Sequence, residues 1–323
     1  MRPIKVLSLF DGISCGMVAL ERAGIPVERY VAYEIDKYAI KVSEKNYPQI
    51  EHCRDVFDGD FTKYKGFDLL IGGSACTHWS IAKKGRETNP DGIGGQLFMQ
   101  YVRALRESEC KWFLYENVNS MPKSIKAFII EQLGVEPIMI NSALVSAQQR
   151  KRLYWTNIPN VEHPDDKGVL LKDILESRHT NVVFEPIGTT DGKSFCLDAS
   201  YYKGSNVELT LKKHRRTLVA ESVKNGHFDK RGREQRIYSV KEKKICLTGC
   251  DNKQGVKTEC YKIELPDGDY IVRKLTPIEA ERLQTLPDNY TEGISNTQRY
   301  KCLGNGWTVD VIAHILKGLS NGR

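Results

Sequence analysis

The sequence has few of the features that mark secreted or membrane proteins. No apolar run among its 323 residues approaches the roughly 18 residues that a membrane span needs. The N-terminus lacks a basic stretch that leads into a long apolar segment, so we expect no signal peptide. The nine cysteines are scattered singly, which argues against a disulfide framework. These absences favour a reducing compartment, and we expect a cytoplasmic protein with no membrane partner.

Metal-binding motifs are also missing. Cys246, Cys250 and Cys260 lie closest together, but a zinc site would need a tighter Cys-x-x-Cys pair and a fourth ligand. We therefore predict no metal site. The sequence has no internal repeat and no low-complexity tract. Its 40% hydrophobic and 28% charged residues are typical of a globular protein rather than a disordered one.

The positive charge is concentrated in one part of the chain. The whole chain carries +7, but residues 201–250 contain 13 Lys or Arg against 5 Asp or Glu, a net charge of +8. The other 273 residues therefore sum to −1. A basic segment on an otherwise balanced body favours a polyanion such as nucleic acid as partner, although a solvated surface loop has the same composition.

Short apolar runs alternate with helix-like stretches in the first part of the chain. The predicted strands are residues 4–10, 29–33, 67–71, 112–115, 137–140 and 152–155, and the predicted helices are 14–23, 37–46 and 97–106. This alternation is typical of a mostly parallel, doubly wound α/β sheet, which binds ligands beyond the carboxyl ends of its strands. The polar residues that follow these strands should therefore meet along one edge of the sheet: Asp11, Glu34, Asp55, Cys76 and Glu116.

The alternating pattern weakens between residues 161 and 270. This stretch has short β-like segments, many Lys and Gly residues, and a helical period only near residues 169–177. Helices return at residues 277–286 and 309–319. We predict a main domain formed by residues 1–160 and 271–323, and a smaller, irregular, β-rich domain formed by residues 161–270.

Two motifs near the N-terminus predict a nucleoside-binding site. Residues 10–16 place glycines between a strand and a helix, which would let a ligand approach the backbone closely, although a tight turn has the same sequence. Glu34 ends the second strand, where a carboxylate commonly accepts hydrogen bonds from ribose hydroxyls, although it could simply face solvent. The two motifs stand one βαβ unit apart, and together they favour a nucleoside cofactor.

Three further motifs carry reactive or charged side chains. Cys76 follows a Gly-rich turn at the end of a strand, where a cysteine is either a nucleophile or a small buried residue. Glu116 follows the next long strand and could be a proton donor or only an acid at a helix start. Arg150 and Arg152 belong to a dense cationic patch that suits the binding of a carbonyl or phosphate, the alternative being a surface charge run.

Taken together and in this order, these motifs resemble those of the cytosine-5 DNA methyltransferase family. The resemblance covers residues 1–160 and 270–323, with Cys76 at the nucleophile position, Glu116 in the Glu-Asn-Val motif, and Arg150 and Arg152 in the Gln-x-Arg-x-Arg motif. The residues that match the family's S-adenosylmethionine site are Phe10, Asp11, Gly12, Ile13, Gly16, Glu34, Ile35, Asp55, Val56, Asn305 and Trp307.

The resemblance also implies a source and a setting. Residues 6–13 and 145–147 are similar to those of eukaryotic de novo DNA methyltransferases, whereas the compact length resembles that of bacterial and phage enzymes. We therefore expect the cytosol of a bacterium or of a phage-infected host. S-adenosylmethionine is the implied cofactor, double-stranded DNA is the implied partner, and we expect a monomer on the DNA.

The resemblance implies a role for each residue of the site. The Cys76 thiolate would attack C6 of a cytosine flipped out of the duplex, so that C5 can take a methyl group. Glu116 would donate a proton or hydrogen bond at N3, and Arg152 would hold O2 with Arg150 as support. DNA phosphates would be bound by basic residues of the target-recognition region; the candidates are Lys212, Lys213, Arg215, Arg216, Lys230, Arg231 and Arg233.

The segment after the nucleophile is expected to move. Residues 77–96 would form a loop that closes over the DNA, with glycines as hinges. These glycines are Gly85, Gly92, Gly94 and Gly95.

One position departs from the family pattern. The family usually has proline directly before the nucleophile, and this chain has Ala75. Because proline fixes φ and restrains its neighbour, alanine would leave this turn freer. Two alternatives stay open: a DNA-binding homologue with little activity because of Ala75, and a tRNA cytosine-5 methyltransferase. The intact Cys76, Glu116 and Arg152 argue against the first, and the long basic middle region argues against the second.

Overall fold

The computed structural model describes residues 2–81, 84–176, 184–187, 191–203, 217–222, 250–251, 257–258, 261–265 and 268–321. Its first half contains β1 (Ile4–Leu9), α1 (Cys15–Arg22), β2 (Val27–Tyr33), α2 (Lys37–Asn46), β3 (Glu51–Cys53), β4 (Leu69–Gly72), α3 (Ile93–Ser108), β5 (Trp112–Val118), α4 (Lys123–Leu133), β6 (Ile138–Asn141) and β7 (Lys151–Thr156). The later elements are α5 (Leu171–Ile174), β8 (Phe184–Ile187), β9 (Leu218–Ser222), β10 (Cys250–Asp251), β11 (Lys257–Thr258), β12 (Tyr261–Leu265), β13 (Gly268–Lys274), α6 (Pro277–Leu283), α7 (Asn296–Asn305), α8 (Val309–Leu316) and α9 (Gly318–Asn321).

A seven-stranded sheet with the order β3-β2-β1-β4-β5-β7-β6 forms the body of the molecule. The first five strands of this order run parallel, whereas β7 is antiparallel to both β5 and β6. β1 is a nearly continuous apolar run because both faces of a central parallel strand are covered, and its Val6, Leu7 and Leu9 are fully buried. The predicted mostly parallel, doubly wound α/β sheet is confirmed.

The path of the chain through the sheet places the functional edge. From β1 the chain moves outward through β2 and β3, then returns to β4 beside β1 and continues in the other direction to β5. The order reverses between β1 and β4, and doubly wound sheets bind their ligands at such a reversal, beyond the carboxyl ends of the strands. Asp11, Glu34 and Asp55 follow β1, β2 and β3 at this edge, as predicted.

The C-terminal segment completes the main layer of helices. α8 packs against α1, and its Val309, Ile312 and Leu316 are fully buried. Arg22 Nη1, at the end of α1, donates a hydrogen bond to Asp310 Oδ1 at 2.5 Å. This packing supports the predicted union of residues 1–160 and 271–323, whose limits stay a prediction.

The described strands of the predicted second domain are antiparallel. Four of them form a sheet with the order β12-β13-β9-β8, and β10 pairs with β11. Other described residues of this region pack into the main core; they are Leu171, Ile174, Leu197, Tyr201 and Val219. The division of the chain at residues 161 and 270 therefore stays a prediction.

The position predicted for Glu116 relative to its strand was wrong. It was expected just after a strand that ends at residue 115, but it lies within β5, which continues to Val118. The cause is an antiparallel neighbour: β7 pairs Tyr154 with Glu116 and Arg152 with Val118, which extends the strand beyond its most apolar part.

The start predicted for the third helix was also wrong. α3 begins at Ile93 rather than residue 97, so two of the predicted hinge glycines lie in its first turn, where both are buried. A Cβ at Gly95 would overlap the carbonyl oxygen of Pro90, and a Cβ at Gly94 would lie 2.6 Å from Trp79 Nε1. These glycines therefore permit close packing of the chain on the helix.

Two helices were not predicted. α4 buries Ile125, Ile129 and Leu133 at a spacing of four residues, a signal that the sequence does contain. α7 is polar over most of its length and offers no such period. In the described parts of the chain, no helix combines the length and the apolar character needed to cross a membrane.

Candidate active site

A cavity of about 380 Å³ lies at the predicted edge of the sheet, beyond the carboxyl ends of β1, β2 and β4. Its wall brings together most of the residues that the sequence predicted for the cofactor and for the reaction. They are Phe10, Asp11, Gly12, Ile13, Glu34, Ile35, Asp55, Val56, Glu116, Arg150, Arg152, Asn305 and Trp307. Gly16 is not part of the wall: it is buried in α1, and a Cβ there would meet Ile71 and Tyr30.

The loop between β1 and α1 has an uncommon backbone. Phe10 has φ 59°, Gly12 has φ 62° and Ser14 has φ 60°, so three of its residues are left-handed. Only glycine adopts this region freely, and a bulky residue there is held by its surroundings. The alternating geometry turns the chain sharply and leaves Gly12 with no atom within 4 Å of where a Cβ would stand. The loop therefore offers open backbone to the cavity.

The Asp11 carboxylate holds this loop in place. Ser8 Oγ and Tyr30 Oη donate to its Oδ1 at 2.6 Å each, and Ser14 Oγ donates to its Oδ2 at 2.5 Å. Burial raises the pKa of Tyr30 well above its ordinary value, and the nearby Asp11 charge raises it further. The tyrosine is thus a fixed donor. Sequence reasoning missed Ser8 and Tyr30, since both occupy ordinary positions within apolar strands.

The loop has a second anchor far away in sequence. Tyr290 Oη donates to the carbonyl oxygen of Ile13 at 2.7 Å, and the tyrosine is buried. This contact ties the loop to the C-terminal part of the chain. No local pattern around Tyr290 indicates it.

The Glu34 carboxylate is fixed by three backbone N–H groups. Gly12 N donates to its Oε2, and the N–H groups of Ile35 and Asp36 donate to its Oε1, all at 2.8 Å. Burial raises the pKa of Glu34 above its ordinary value, and these three hydrogen bonds oppose part of that rise. The carboxylate therefore faces the cavity in one orientation, in a position suited to accept from ribose hydroxyls.

Two exposed apolar side chains form another part of the wall. Ile35 is 70% exposed and Phe57 is 47% exposed, although large apolar side chains are usually covered. Asp55 lies beside them and accepts a hydrogen bond from Phe57 N at 2.9 Å. This uncovered apolar surface suits the faces of a planar ring. Phe57 was not predicted, although it directly follows the predicted pair Asp55 and Val56.

The Glu116 carboxylate receives a hydrogen-bond donor on each oxygen. Arg152 Nε lies 3.0 Å from its Oε1, and both side chains are only 12% exposed. Trp307 Nε1 donates to its Oε2 at 3.1 Å. Neither contact was predicted from the sequence, which gave Glu116 and Arg152 separate roles at N3 and O2 of the base.

Arg150 is a buried cross-link between three parts of the chain. Its guanidinium donates to the carbonyl oxygens of Leu197 at 2.9 Å, Gly306 at 2.9 Å and Gly304 at 3.2 Å. It is 3% exposed. Its donors thus join the residue before β7 to residues 191–203 and to the end of α7, and its supporting role in the reaction stays a prediction.

A cysteine that the sequence did not single out lies beside the two arginines. Cys196 Sγ is 3.5 Å from Arg150 Nη1 and 3.9 Å from Arg152 Nη2. Burial alone would raise the pKa of the Cys196 thiol, but the two guanidinium charges outweigh burial and lower it below the ordinary value. Nothing in the spacing of Cys196 indicates this contact, which forms only when residues 191–203 fold against β7.

The predicted nucleophile stands at the start of a short turn of 3-10 helix, Cys76–His78. The Cys76 side chain lies outside the described part of the structure. Its neighbours Ser74, Ala75 and Thr77 all line the cavity. The Ser74 and Tyr115 hydroxyls share a hydrogen bond of 2.6 Å, which fixes the turn to β5.

The segment after the nucleophile is held in place by the carboxylate of Glu87, which belongs to the same segment. Glu87 Oε1 lies 3.0 Å from His78 Nδ1, and its Oε2 accepts from Gly94 N at 3.0 Å. Arg86 Nη1 donates to the Ser120 carbonyl oxygen at 2.5 Å. These contacts tie the predicted loop to α3 and to the end of β5; its mobility stays a prediction.

Several predictions fall outside the described residues. They concern Lys212, Lys213, Arg215, Arg216, Lys230, Arg231 and Arg233, and also the side chains of Cys246, Cys250 and Cys260. Among the residues that are described, no group of three or more His, Cys, Asp or Glu is placed to hold a metal ion.

Comparison with known proteins gives a consistent result. The profile of the family described as C-5 cytosine-specific DNA methylase matches residues 4–321. Orphan methyltransferase M.SPRI of Bacillus phage SPR is 26% identical, over 99% of this chain and 98% of its own. Type II methyltransferase M.HhaI of Haemophilus parahaemolyticus is 25% identical, over 97% of this chain and 93% of its own.

The fold is shared with solved structures. That of the Entamoeba histolytica methyltransferase EhMeth aligns with a TM-score of 0.64 at 16% identity, covering 100% of this chain and 99% of that one. A Spodoptera frugiperda DNMT2 variant aligns with a TM-score of 0.60 at 18% identity, over 98% and 99% of the two chains. The profile match spans nearly the whole chain, and the chain therefore belongs to the C-5 cytosine-specific DNA methylase family, whose members methylate cytosine in DNA at C5.

Proposed function

We propose that the cavity is the active site of this methyltransferase and that it binds S-adenosylmethionine beside a cytosine flipped out of double-stranded DNA. One observation carries the proposal. The Glu34 carboxylate, suited to a ribose, and the Glu116–Arg152 pair, suited to a base, line the same cavity. A nucleoside cofactor and a reacting base can therefore share one space.

The wall of the cavity fits this cofactor. Glu34 is held as an acceptor for ribose hydroxyls, and the exposed faces of Ile35 and Phe57 suit an adenine ring. The open backbone at Gly12 leaves room for the methionine part. When bound, S-adenosylmethionine supplies an electrophilic methyl group at its sulfonium centre. Asn305 and Trp307 close the wall from the C-terminal segment.

Cys76 supplies the nucleophile in this proposal. A bond forms between its thiolate sulfur and C6 of cytosine, and the electron pair of the C5–C6 bond shifts so that C5 becomes nucleophilic. Once C5 carries the methyl group and the donor has left as S-adenosylhomocysteine, a base removes the C5 proton. The electron pair of that C–H bond re-forms the C5–C6 double bond as the thiolate leaves C6. Ala75 and Thr77, on either side of Cys76, both line the cavity, which supports this role.

Glu116 and Arg152 act on the polar edge of the cytosine. Addition of sulfur at C6 builds negative charge on the ring, and a proton or hydrogen bond from Glu116 at N3 relieves it. Arg152 holds O2 and keeps its Nε on the Glu116 carboxylate. Arg150 is buried behind them and acts as a positioning residue through its three carbonyl contacts.

The DNA is bound by the basic segment in this proposal, as a duplex and by one copy of the chain. The positive charge of residues 201–250 suits phosphates, and base contacts from the same region would select the sequence. A DNA methylase profile over residues 4–321 favours DNA over tRNA as substrate. The cytosol of a bacterium or phage-infected host remains the compartment that we propose.

Covalent trapping tests the proposal. DNA that carries 5-fluorocytosine cannot lose its C5 substituent, so the sulfur–C6 bond persists and the complex survives denaturing electrophoresis. We expect a trapped complex for the wild type in the presence of S-adenosylmethionine and none for Cys76→Ser, with DNA binding largely kept. Cys53→Ser is the matched control, since Cys53 lies in β3 outside the cavity wall.

Two results would contradict the proposal. A wild-type protein that binds duplex DNA but forms no trapped complex would be an inactive binding homologue. A Cys76→Ser variant that still methylates at a near-normal rate would show that another residue is the nucleophile.

A further inference from the structure

The tryptophan of the C-terminal segment contacts the acid of the active site. Trp307 follows α7 by two residues, and its indole Nε1 donates to Glu116 Oε2 at 3.1 Å. Arg152 Nε lies on the opposite oxygen, Oε1, at 3.0 Å. Each carboxylate oxygen therefore has an N–H donor, and these two donors come from segments that are 155 residues apart in the sequence.

The chain makes room for this contact at one position of the nucleophile loop. A Cβ at Gly73 would lie 2.8 Å from the Glu116 carbonyl oxygen, 3.1 Å from its Oε2 and 3.4 Å from Trp307 Nε1. All three distances are shorter than ordinary van der Waals contact or at its limit. The acid and the indole are thus packed directly against the backbone that leads to Cys76, and only glycine permits it there.

We propose that Trp307 is a positioning residue for Glu116, and that its indole N–H fixes the plane of the carboxyl group that acts on cytosine N3. The inference rests on the role proposed above for Glu116. It gives Trp307 a function in the chemical step, in addition to the contact with the cofactor that its motif predicted.

The physical need for a second donor follows from the side chain. The terminal torsion of glutamate is broad, so hydrogen bonds rather than the torsional preference decide the orientation of its carboxyl plane. One donor on one oxygen leaves the group free to rotate about that contact. Donors on both oxygens define the plane, and each oxygen keeps a further lone pair for the proton shared with the base.

An indole suits this position for a second reason. Its N–H is only a donor and does not exchange its proton with a carboxyl group at ordinary pH. Trp307 can therefore orient Glu116 without competing for the proton that Glu116 gives to the base. Arg150 supports the arrangement, since it donates to the carbonyl oxygens of Gly306, directly before the tryptophan, and of Gly304, three residues before it.

The test separates positioning of the acid from binding of the cofactor. Trp307→Phe keeps an aromatic ring and removes the N–H. We expect the rate of covalent trapping on 5-fluorocytosine DNA, at saturating S-adenosylmethionine, to fall about tenfold, a part of the usual contribution of a general acid. The Kd for S-adenosylhomocysteine should change by less than about twofold. Trp112→Phe, at the other end of β5, is the matched control and should change neither quantity.

A double variant tests whether Trp307 acts through Glu116. In a Glu116→Gln background the trapping rate is already low. Adding Trp307→Phe should lower it no further, because Trp307 acts only through the carboxyl group that Glu116→Gln has already removed. A further tenfold loss in that background would overturn the proposal. So would a Kd for S-adenosylhomocysteine that weakens as much as the rate falls, since Trp307 would then serve the cofactor alone.

A spectroscopic measurement keeps the test independent of how Trp307→Phe folds. The chain has four tryptophans, so its ¹⁵N-indole spectrum has four N–H resonances. Glu116→Gln should displace one of them and leave the other three in place. A spectrum in which none moves would overturn the contact. A wild-type protein that forms no trapped complex would overturn the proposed function itself and this inference with it.

Discussion

At the scale of single residues, the site is built on carboxylates whose oxygens already have fixed donors. Asp11 accepts from three hydroxyl groups, Glu34 from three backbone N–H groups, and Glu116 from an arginine and an indole. None of these side chains has to be ordered when a ligand arrives, so binding loses little conformational entropy at these positions.

Glu34 makes cofactor binding depend on pH. Its ionised form is the better acceptor for ribose hydroxyls, and burial raises its pKa, so protonation begins at a higher pH than for an ordinary glutamate. We expect the affinity for S-adenosylhomocysteine, measured by calorimetry, to weaken as the pH falls through that raised value. Glu34→Gln should bind more weakly and lack this acid limb. An acid limb that persists unchanged in the variant would assign it to another group.

The raised pKa of Glu34 also makes the stability of the fold depend on pH, in the direction opposite to its effect on cofactor binding. The native chain holds the Glu34 proton to a higher pH than the unfolded chain does. The contribution of Glu34 to the stability of the fold is therefore complete below the pKa that it has in the unfolded chain. This contribution is lost as the pH rises through the pKa that Glu34 has in the native chain. Lowering the pH thus increases the contribution of Glu34 to the stability of the fold, while it weakens the binding of the cofactor.

Ala75 offers a direct test of the nucleophile turn. Its φ is not positive, and it lies between the buried Ser74 and the start of a helical turn, so a left-handed backbone does not exclude proline there. We predict that Ala75→Pro keeps or raises single-turnover methylation at unchanged DNA affinity. Stability should rise by about 0.4–1 kcal/mol through a less flexible unfolded chain.

The opposite outcome would also be informative. A loss of activity with an unchanged thermal melt would mean that this turn follows a different path from that of the family and requires alanine. That result would contradict the assignment of the nucleophile loop by resemblance.

At the scale of elements, the start of α3 is set by close packing. Gly95 has no room for a Cβ because the Pro90 carbonyl oxygen occupies that space, and backbone cannot move aside cheaply. We predict that Gly95→Ala destabilises the protein by about 1–3 kcal/mol, as overpacking does. The measurement is urea unfolding. Gln96→Ala, exposed on the same turn, should stay within about 0.5 kcal/mol of wild type.

A Gly95→Ala variant as stable as the Gln96→Ala control would return the glycine to the hinge role that the sequence first indicated. The mobile segment formed by residues 77–96 would then hinge within the first turn of α3, rather than at residues that precede this helix.

The central strands and the polar residues at their ends were predictable from the sequence, but the long-range hydrogen-bond partners of these residues were not. The apolar run of β1 and the polar residues after each strand carry a local signal, which correctly placed Asp11, Glu34 and Asp55 at one edge. The bond from Tyr30 to Asp11 and that from Trp307 to Glu116 join positions 19 and 191 residues apart. No periodicity records such pairs, because they depend on how whole layers pack.

Cys196 is a second example of a long-range contact that the sequence could not predict. Its thiol pKa falls only because the guanidinium groups of Arg150 and Arg152, at the start of β7, lie against a segment that is otherwise irregular. The sequence indicated the arginines as a site and gave no reason to choose this cysteine from nine. The part of a site that comes from one chain segment touching another has to be read from the fold.

At the scale of the whole molecule, charge divides the protein into a nearly neutral body and a basic segment. We predict that neutralising Lys212, Lys213, Arg215 and Arg216 together weakens DNA binding and flattens its salt dependence. Each lost phosphate contact should lower the log–log slope by about 0.9. Binding is measured by fluorescence anisotropy over a salt series.

The matched control removes the same charge from elsewhere. Lys41, Lys63, Lys123 and Lys317 are exposed on the described surface of the main sheet and helices. Neutralising these four should leave the slope nearly unchanged if the basic segment holds the DNA. Equal slopes for the two quadruple variants would show that residues 212–216 are an ordinary solvated surface.

The most direct measurement is bisulfite sequencing of DNA from cells that express the protein. It detects 5-methylcytosine at single-base resolution, whatever the target sequence is. We predict methylated cytosine in one short sequence context for the wild type and none above background for Cys76→Ser expressed at the same level. No methylation in the wild type, or the same pattern in both, would contradict C5 methylation through Cys76.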